Sequence, residues 1–139
     1  MEKNTRFIVI DDDALYNKIC RACIEKLFKD AHVTTFTDPT LGYDHVKLEY
    51  AAADLEHEAI LFLDINMPIL NGWEFLEKFE QLDEIIKNRI KIYILSSSVD
   101  KRDMEKAQAN KNVVYYLIKP LTKETIALIT YAQKKKKTE

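Results

Sequence analysis

Glycine is nearly absent from this chain: Gly42 and Gly72 are the two in 139 residues, accompanied by three prolines. So few turn formers exclude a collagen-like, low-complexity or loop-dominated protein. They also exclude the glycine-rich phosphate loops, since neither G-x-x-x-x-G-K-[ST] nor G-x-G-x-x-G occurs, and nucleotide binding is not expected. Cysteine is equally sparse. Cys20 and Cys23 form one C-x-x-C with no second pair to complete a zinc site. The spacing falls inside a helical pattern rather than at a helix start beside a strand, so free, buried or half-buried thiols are expected. No apolar run approaches the length that spans a bilayer, and the opening M-E-K-N-T-R has no signal-peptide core. A cytoplasmic protein without a membrane partner is expected. Charge of one sign is missing too: the formal net charge is −2, which gives no global reason to expect nucleic acid.

What remains is ordinary globular material, with 47% hydrophobic and 32% charged residues. A chain of 139 residues can bury a sizeable core without disulfides or metals. One domain over residues 1–139 is expected, with a core of about 6–133 and a basic tail at 134–139. Four lysines at the end of a helix complement its dipole and are more often a solvated end than a nucleic-acid or membrane patch.

The most informative stretch is residues 59–72, A-I-L-F-L-D-I-N-M-P-I-L-N-G. Its apolar run at 60–63 suits a strand buried on both faces of a parallel sheet. Asp64 ends that run, followed by a loop with Pro68 that closes at Gly72. Alone, such an Asp would be read as a cap. Four further segments repeat the arrangement. A strand at 7–10 ends in Asp11, Asp12 and Asp13, with Asp13 suited to cap a helix over 14–29 whose apolar face is Leu15, Ile19, Ala22, Cys23 and Leu27. A strand at 33–36 precedes the Asp38-Pro39 turn and a helix over about 41–55, with Val46, Leu48, Tyr50 and Leu55 available to cover a sheet. After Gly72 a third helix runs through Trp73, Leu76, Phe79 and Leu82. A strand at 90–95 stops at Ser96, Ser97 and Ser98, and a polar helix at 101–109 offers only Met104 and Ala107 as apolar contacts. A strand at 113–118 ends at Lys119-Pro120, and a last helix is marked by Ile126, Ile129 and Ala132. Five β-α units predict a doubly wound five-stranded parallel sheet with five helices and right-handed crossovers.

The carboxyl ends of parallel strands share one edge, where open α/β sheets place their ligands. Asp11, Asp12, Asp64, Ser96 and Lys119 meet there. Clustered carboxylates repel unless a cation joins them, and a hard ion such as Mg²⁺ accepts oxygen ligands. Asp12 and Asp64 are the expected ligands, Asp11 acts directly or through water, and the Asn66 backbone carbonyl completes the protein's share. A metal beside a carboxylate, faced by an amine and a hydroxyl, is equipment for phosphoryl transfer.

I-D-D after the first strand, D-I-N-M-P-I-L-N-G after the third, Ser96-Ser97 after the fourth and K-P after the fifth occur in this order along 7–132. In them the chain resembles the receiver domain of two-component response regulators, the CheY-like superfamily. The resemblance implies sheet order 2-1-3-4-5 and a phosphoacceptor at Asp64. It also implies an Mg²⁺ pair at Asp11 and Asp12 with the Asn66 carbonyl, a switch hydroxyl at Ser96, a phosphate-pairing lysine at Lys119 and a switch aromatic at Tyr116. Pro120 matches a proline whose preceding bond is often cis in that family. The implied donor is a histidine kinase or phosphotransfer protein. The implied output is a protein effector bound on the face of the fourth helix, fifth strand and fifth helix, since no output domain is present among these residues. A haloacid-dehalogenase phosphatase would want a second Asp two residues after the nucleophile, where this chain has Asn66. A degenerate receiver acting only as a binding module would not need the full acidic, hydroxyl and lysine set.

Overall fold

The computed structural model describes residues 5–52 and 57–138. Its strands are β1 (Thr5–Ile10), β2 (His32–Phe36), β3 (Glu58–Leu63), β4 (Ile90–Ser96) and β5 (Val113–Ile118), and all four pairings between them are parallel. The order across the sheet is β2-β1-β3-β4-β5, as expected. The helices are α1 (Ala14–Leu27), α2 (Pro39–Glu49), α3 (Gly72–Glu80), α4 (Glu84–Arg89), α5 (Lys101–Ala109) and α6 (Lys123–Thr138).

Alternate strand residues enter two separate cores, because successive side chains of a strand point to opposite faces. Ile8, Ile10, Leu61, Leu63, Ile92 and Ile94 meet the helices α2 to α5 through Val46, Tyr50, Phe75, Leu76, Phe79, Ile86 and Ala107. Phe7, Val9, Ile60, Phe62, Tyr93 and Leu95 face α1 and α6 through Cys20, Ile24, Ile126 and Ile129. The central strands are apolar at consecutive positions because both of their faces are covered.

Local signals account for the helix starts. Asp13 caps α1 by accepting the N–H groups of Leu15 (3.0 Å) and Tyr16 (3.2 Å). Asp38 accepts the Thr40 N–H at 2.9 Å, and Pro39 lies within the first turn of α2, where its missing N–H leaves no bond unmade. The helix therefore starts two residues before position 41. It ends at Glu49 with Tyr50 as its C-cap, and residues 50–52 are not helical, so it stops short of the expected end near 55; Leu55 itself lies outside the described residues. Of its predicted sheet-covering residues Val46 and Tyr50 are buried, whereas Leu48 is exposed. Asn71 and Glu74 form a capping box at the start of α3.

Three departures have physical causes. The expected face of α1 is rotated: Leu15 is 67% and Ile19 48% exposed, while Asn17, Cys20 and Ile24 are the buried residues. The short helix α4 was not expected; six residues hold too little periodicity to read, and Ile86 is its buried anchor. The edge strand β5 carries an irregularity, since Ile92 faces Val113 but Tyr93 faces Tyr115. Val114 is the extra residue, which explains why Val114 and Tyr115 are exposed in succession. The expectation that the lysines at 134–137 form a solvated end falls on side chains outside those described.

Candidate functional site

The sheet ladder extends beyond the ends of the strands. The Asp11 N–H donates to the Phe36 carbonyl (3.1 Å), the Asp64 N–H to the Ile10 carbonyl (3.0 Å) and the Lys119 N–H to the Ser96 carbonyl (2.9 Å). These bonds fix where Asp11, Asp64 and Lys119 leave the sheet, along the edge where the order reverses between β1 and β3. Carboxylate oxygens of Asp11, Asp12 and Asp64 lie within 4.8 Å of one another. Asp11 and Asp64 are buried and Asp12 is exposed, so the cluster has a wet side.

Each member is held differently. Asp11 Oδ1 accepts the Asp13 N–H at 2.9 Å, and its Oδ2 accepts from Lys119 Nζ at 2.6 Å. Lys119 Nζ stands 4.0 Å from Asp64 Oδ1, which itself accepts the Ile65 N–H at 2.9 Å. Burial, reinforced by the negative charge of Asp11, pushes the Asp64 carboxyl up to about 6. Lys119 and the N–H groups of Asn66 and Ile65 oppose that rise. Helix α3 approaches closely behind Asp64: a Cβ on Gly72 would lie 2.6 Å from the Asp64 carbonyl oxygen and 2.7 Å from Ile65 Cα, so only glycine fits. The Lys119–Pro120 peptide bond is cis.

The fourth and fifth strands end in a connected group. Ser96 is fully buried and its Oγ accepts the Ser98 N–H at 3.1 Å. Ser98 Oγ donates to Asp103 Oδ2 (2.7 Å), and the Tyr116 hydroxyl donates to the Ser98 carbonyl (2.8 Å). The bulge at Val114 lies before Tyr116, the pairing with β4 is regular from Tyr116 to Ile118, and Tyr116 packs against the α2–α5 side of the core. The Lys106 ammonium of α5 lies 5.0 Å from the centre of the Trp73 ring at the start of α3.

Asp11, Asp12, Asp64, Asn66, Ser96 and Lys119 all lie at the carboxyl edge of the sheet, with Tyr116 inside β5 and joined by its hydroxyl to the loop after Ser96. Two further residues support this edge. Asn17 is buried in α1, and its Nδ2 donates to the carbonyls of Asp11 (3.0 Å) and Phe36 (3.2 Å), clamping the ends of β1 and β2. Tyr16 receives the Leu121 N–H on its hydroxyl at 2.9 Å, and the Lys119 ammonium lies 4.2 Å from its ring centre. Asn17 shares the buried face of α1 with Cys20 and Ile24, a face that the apolar pattern of the helix does not mark.

The fold and this edge define a class, and comparison with known proteins agrees with it. The model of the response regulator receiver domain matches residues 7–130, and the chain belongs to that family. It is a receiver domain of two-component signalling. A crystal structure of a two-component response regulator from Cytophaga hutchinsonii is 32% identical, with a TM-score of 0.83, covering 94% of this chain and 97% of that one. A response regulator receiver protein from Dyadobacter fermentans is 30% identical, with a TM-score of 0.81 and coverage of 94% and 96%. The curated stress response regulator protein 1 of Clavispora lusitaniae is 32% identical over 79 residues, 57% of this chain. The chain spans 38% of the length of that relative.

Proposed function

We propose that the chain accepts a phosphoryl group on Asp64 from a phosphohistidine of a sensor kinase or phosphotransfer protein, and relays the change to a protein effector. One observation carries this reading: a buried carboxylate whose neighbours within 4.8 Å are two more acids, with an ammonium 4.0 Å away. Three acids against one ammonium are only partly compensated, which is unfavourable in the resting fold and suited to a cation and a transferring phosphoryl group.

The oxygen-only donor set fits a hard divalent ion such as Mg²⁺. Asp11, Asp12 and Asp64, with the Asn66 backbone carbonyl, would hold it, and it supplies positive charge against the phosphoryl oxygens. An Asp64 carboxylate oxygen attacks phosphorus, the phosphorus–nitrogen bond breaks, and the donor imidazole leaves with the electron pair and takes up a proton. Lys119 exchanges part of its bond with Asp11 for a phosphoryl oxygen. The new group carries roughly −1.5 to −2 charges. Ser96 turns its hydroxyl to that group, which draws the loop after β4 inward and releases the hold of Tyr116 on the Ser98 carbonyl. Helix α5 has few apolar anchors, Ala107 being its one buried residue, and is the element free to shift. The effector would dock on the α5, β5 and α6 face, where Val114, Tyr115 and Ile118 are exposed beside a groove of about 640 Å³. The chain acts as a switch rather than a metabolic enzyme, and its site is the cytoplasm. No helix among the described residues is long and apolar enough to cross a membrane.

The test is intact-protein mass after incubation with acetyl phosphate and Mg²⁺. Gain of one phosphoryl group is expected, abolished by Asp64→Asn and by chelation. A folded chain that gains nothing from acetyl phosphate or from phosphorylated kinases would leave only a binding module.

A further inference from the structure

Lys119 is on a loop, yet its ammonium must meet a charge that exists only after transfer begins. Its stem has four methylene groups and many rotamers, so its position needs an external support. In the resting fold Asp11 binds the ammonium at 2.6 Å, but this bond draws it toward an acid rather than toward the phosphorus. Asp64 Oδ1 stands 4.0 Å away, and on the side without acids the ammonium meets the face of Tyr16, 4.2 Å from Nζ to the ring centre.

We propose that Tyr16 is a positioning residue for phosphoryl transfer, holding the Lys119 ammonium over the acidic edge while leaving its N–H groups available to oxygen. This rests on the reading of Asp64 as phosphoacceptor. An aromatic face attracts a cation through its quadrupole and offers no lone pair, so it steadies the charge without competing as an acceptor. The ring is itself fixed from two sides. Tyr16 packs against the core formed with α1 and α6, and its hydroxyl accepts the Leu121 N–H at 2.9 Å. The two contacts bracket Pro120: ring face to Lys119, hydroxyl to Leu121. One side chain of α1 thus sets both the height of the loop and the place of the amine. Burial pushes the Tyr16 phenol far above its ordinary range, against the opposing Leu121 N–H, so the platform stays neutral.

The test compares Tyr16→Leu, Tyr16→Met and Tyr16→Phe with wild type, following Mg²⁺-dependent phosphorylation by acetyl phosphate through intact mass over time at several donor concentrations. Leu and Met fill the space without a π face and should lower the maximal rate roughly tenfold, with the dependence on donor concentration unchanged. Phe retains the face and should stay within about threefold of wild type. Wild-type rates in both Leu and Met would overturn the proposal. So would an equal loss in Phe, which would assign the effect to the hydroxyl and the loop. The second readout is the proton shift of the Lys119 ε-methylene, displaced by the ring current in wild type and Phe and returned toward the free value in Leu and Met. Identical shifts in all four overturn the proposal, even where a variant is too unstable for kinetics. If wild type takes up no phosphoryl group, the phosphoacceptor reading has failed by itself, and the methylene shift still decides whether Tyr16 places the amine.

Discussion

Asp64 is a residue whose charge the resting fold opposes. Its carboxyl titrates near 6, above the ordinary 3.8, because it is buried beside Asp11. A group held up in this way favours the folded state when protonated; that contribution is complete below the unfolded value and is lost as pH rises through about 6. In chelator at pH 7.5, Asp64→Asn should therefore stabilise the chain by about 1–3 kcal/mol, and near pH 4 the gain should vanish. Urea unfolding at the two pH values checks this; an equal gain at both would mean that charge is not the cause. At this scale the sequence was most legible. Asp11, Asp12, Asp64, Ser96 and Lys119 are polar residues placed abruptly after apolar runs, and a strand end leaves them little to do in packing. Tyr16 and Asn17 were not legible. Their roles depend on contacts with Leu121 and Phe36, far along the chain, and neither spacing nor composition shows which residues face each other across the sheet edge.

Helix α1 is the element where pattern and structure diverge. Leu15 and Ile19 were expected to meet the sheet, yet both are exposed, and the buried line runs through Asn17, Cys20 and Ile24. A residue count cannot find this face, because Asn17 is polar and lies there to bind two strand-end carbonyls. Ile24→Ala should cost about 2–4 kcal/mol, as an aliphatic side chain removed from a packed core does. Ile19→Lys should change stability by less than about 0.5 kcal/mol. Denaturant midpoints of the two variants decide between the faces, and a costly Ile19 with a tolerant Ile24 would restore the original phase. The strand pattern needed no such correction at 7–10 and 59–63, where β1 and β3 are covered on both sides and every residue is apolar. Short α4 and the extra residue at Val114 stayed illegible for a common reason: each depends on how a neighbouring element closes, through Ile86 in one case and the register with Tyr93 in the other.

For the molecule as a whole, an ion held at the acidic edge as proposed would couple stability to its concentration. A ligand that binds the folded state alone stabilises it by about 2.7 kcal/mol at a hundredfold excess over its dissociation constant. Mg²⁺ at that excess should raise the thermal midpoint accordingly, and Asp12→Ala should remove most of the shift without lowering the midpoint in chelator. Carboxylates bind metal only when ionised, so the shift should shrink as pH falls through about 6, where Asp64 takes up a proton. Scanning calorimetry with and without Mg²⁺ measures all three. A shift unaffected by Asp12→Ala would place the ion elsewhere.

The strand order also bears on synthesis. β1 occupies an inner place in the sheet, and Glu58 of β3 pairs with Thr5 of β1, 53 residues earlier. A ribosome adding about 5–20 residues per second leaves one edge of β1 without its partner for roughly 3–10 s, while β2 is already available on the other. During that interval the nascent chain exposes the run Phe7 to Ile10, all of which is buried in the finished fold. The same strand order that brings Asp11 and Asp64 together at the carboxyl edge thus leaves the apolar first strand half-paired in the newborn chain during that window.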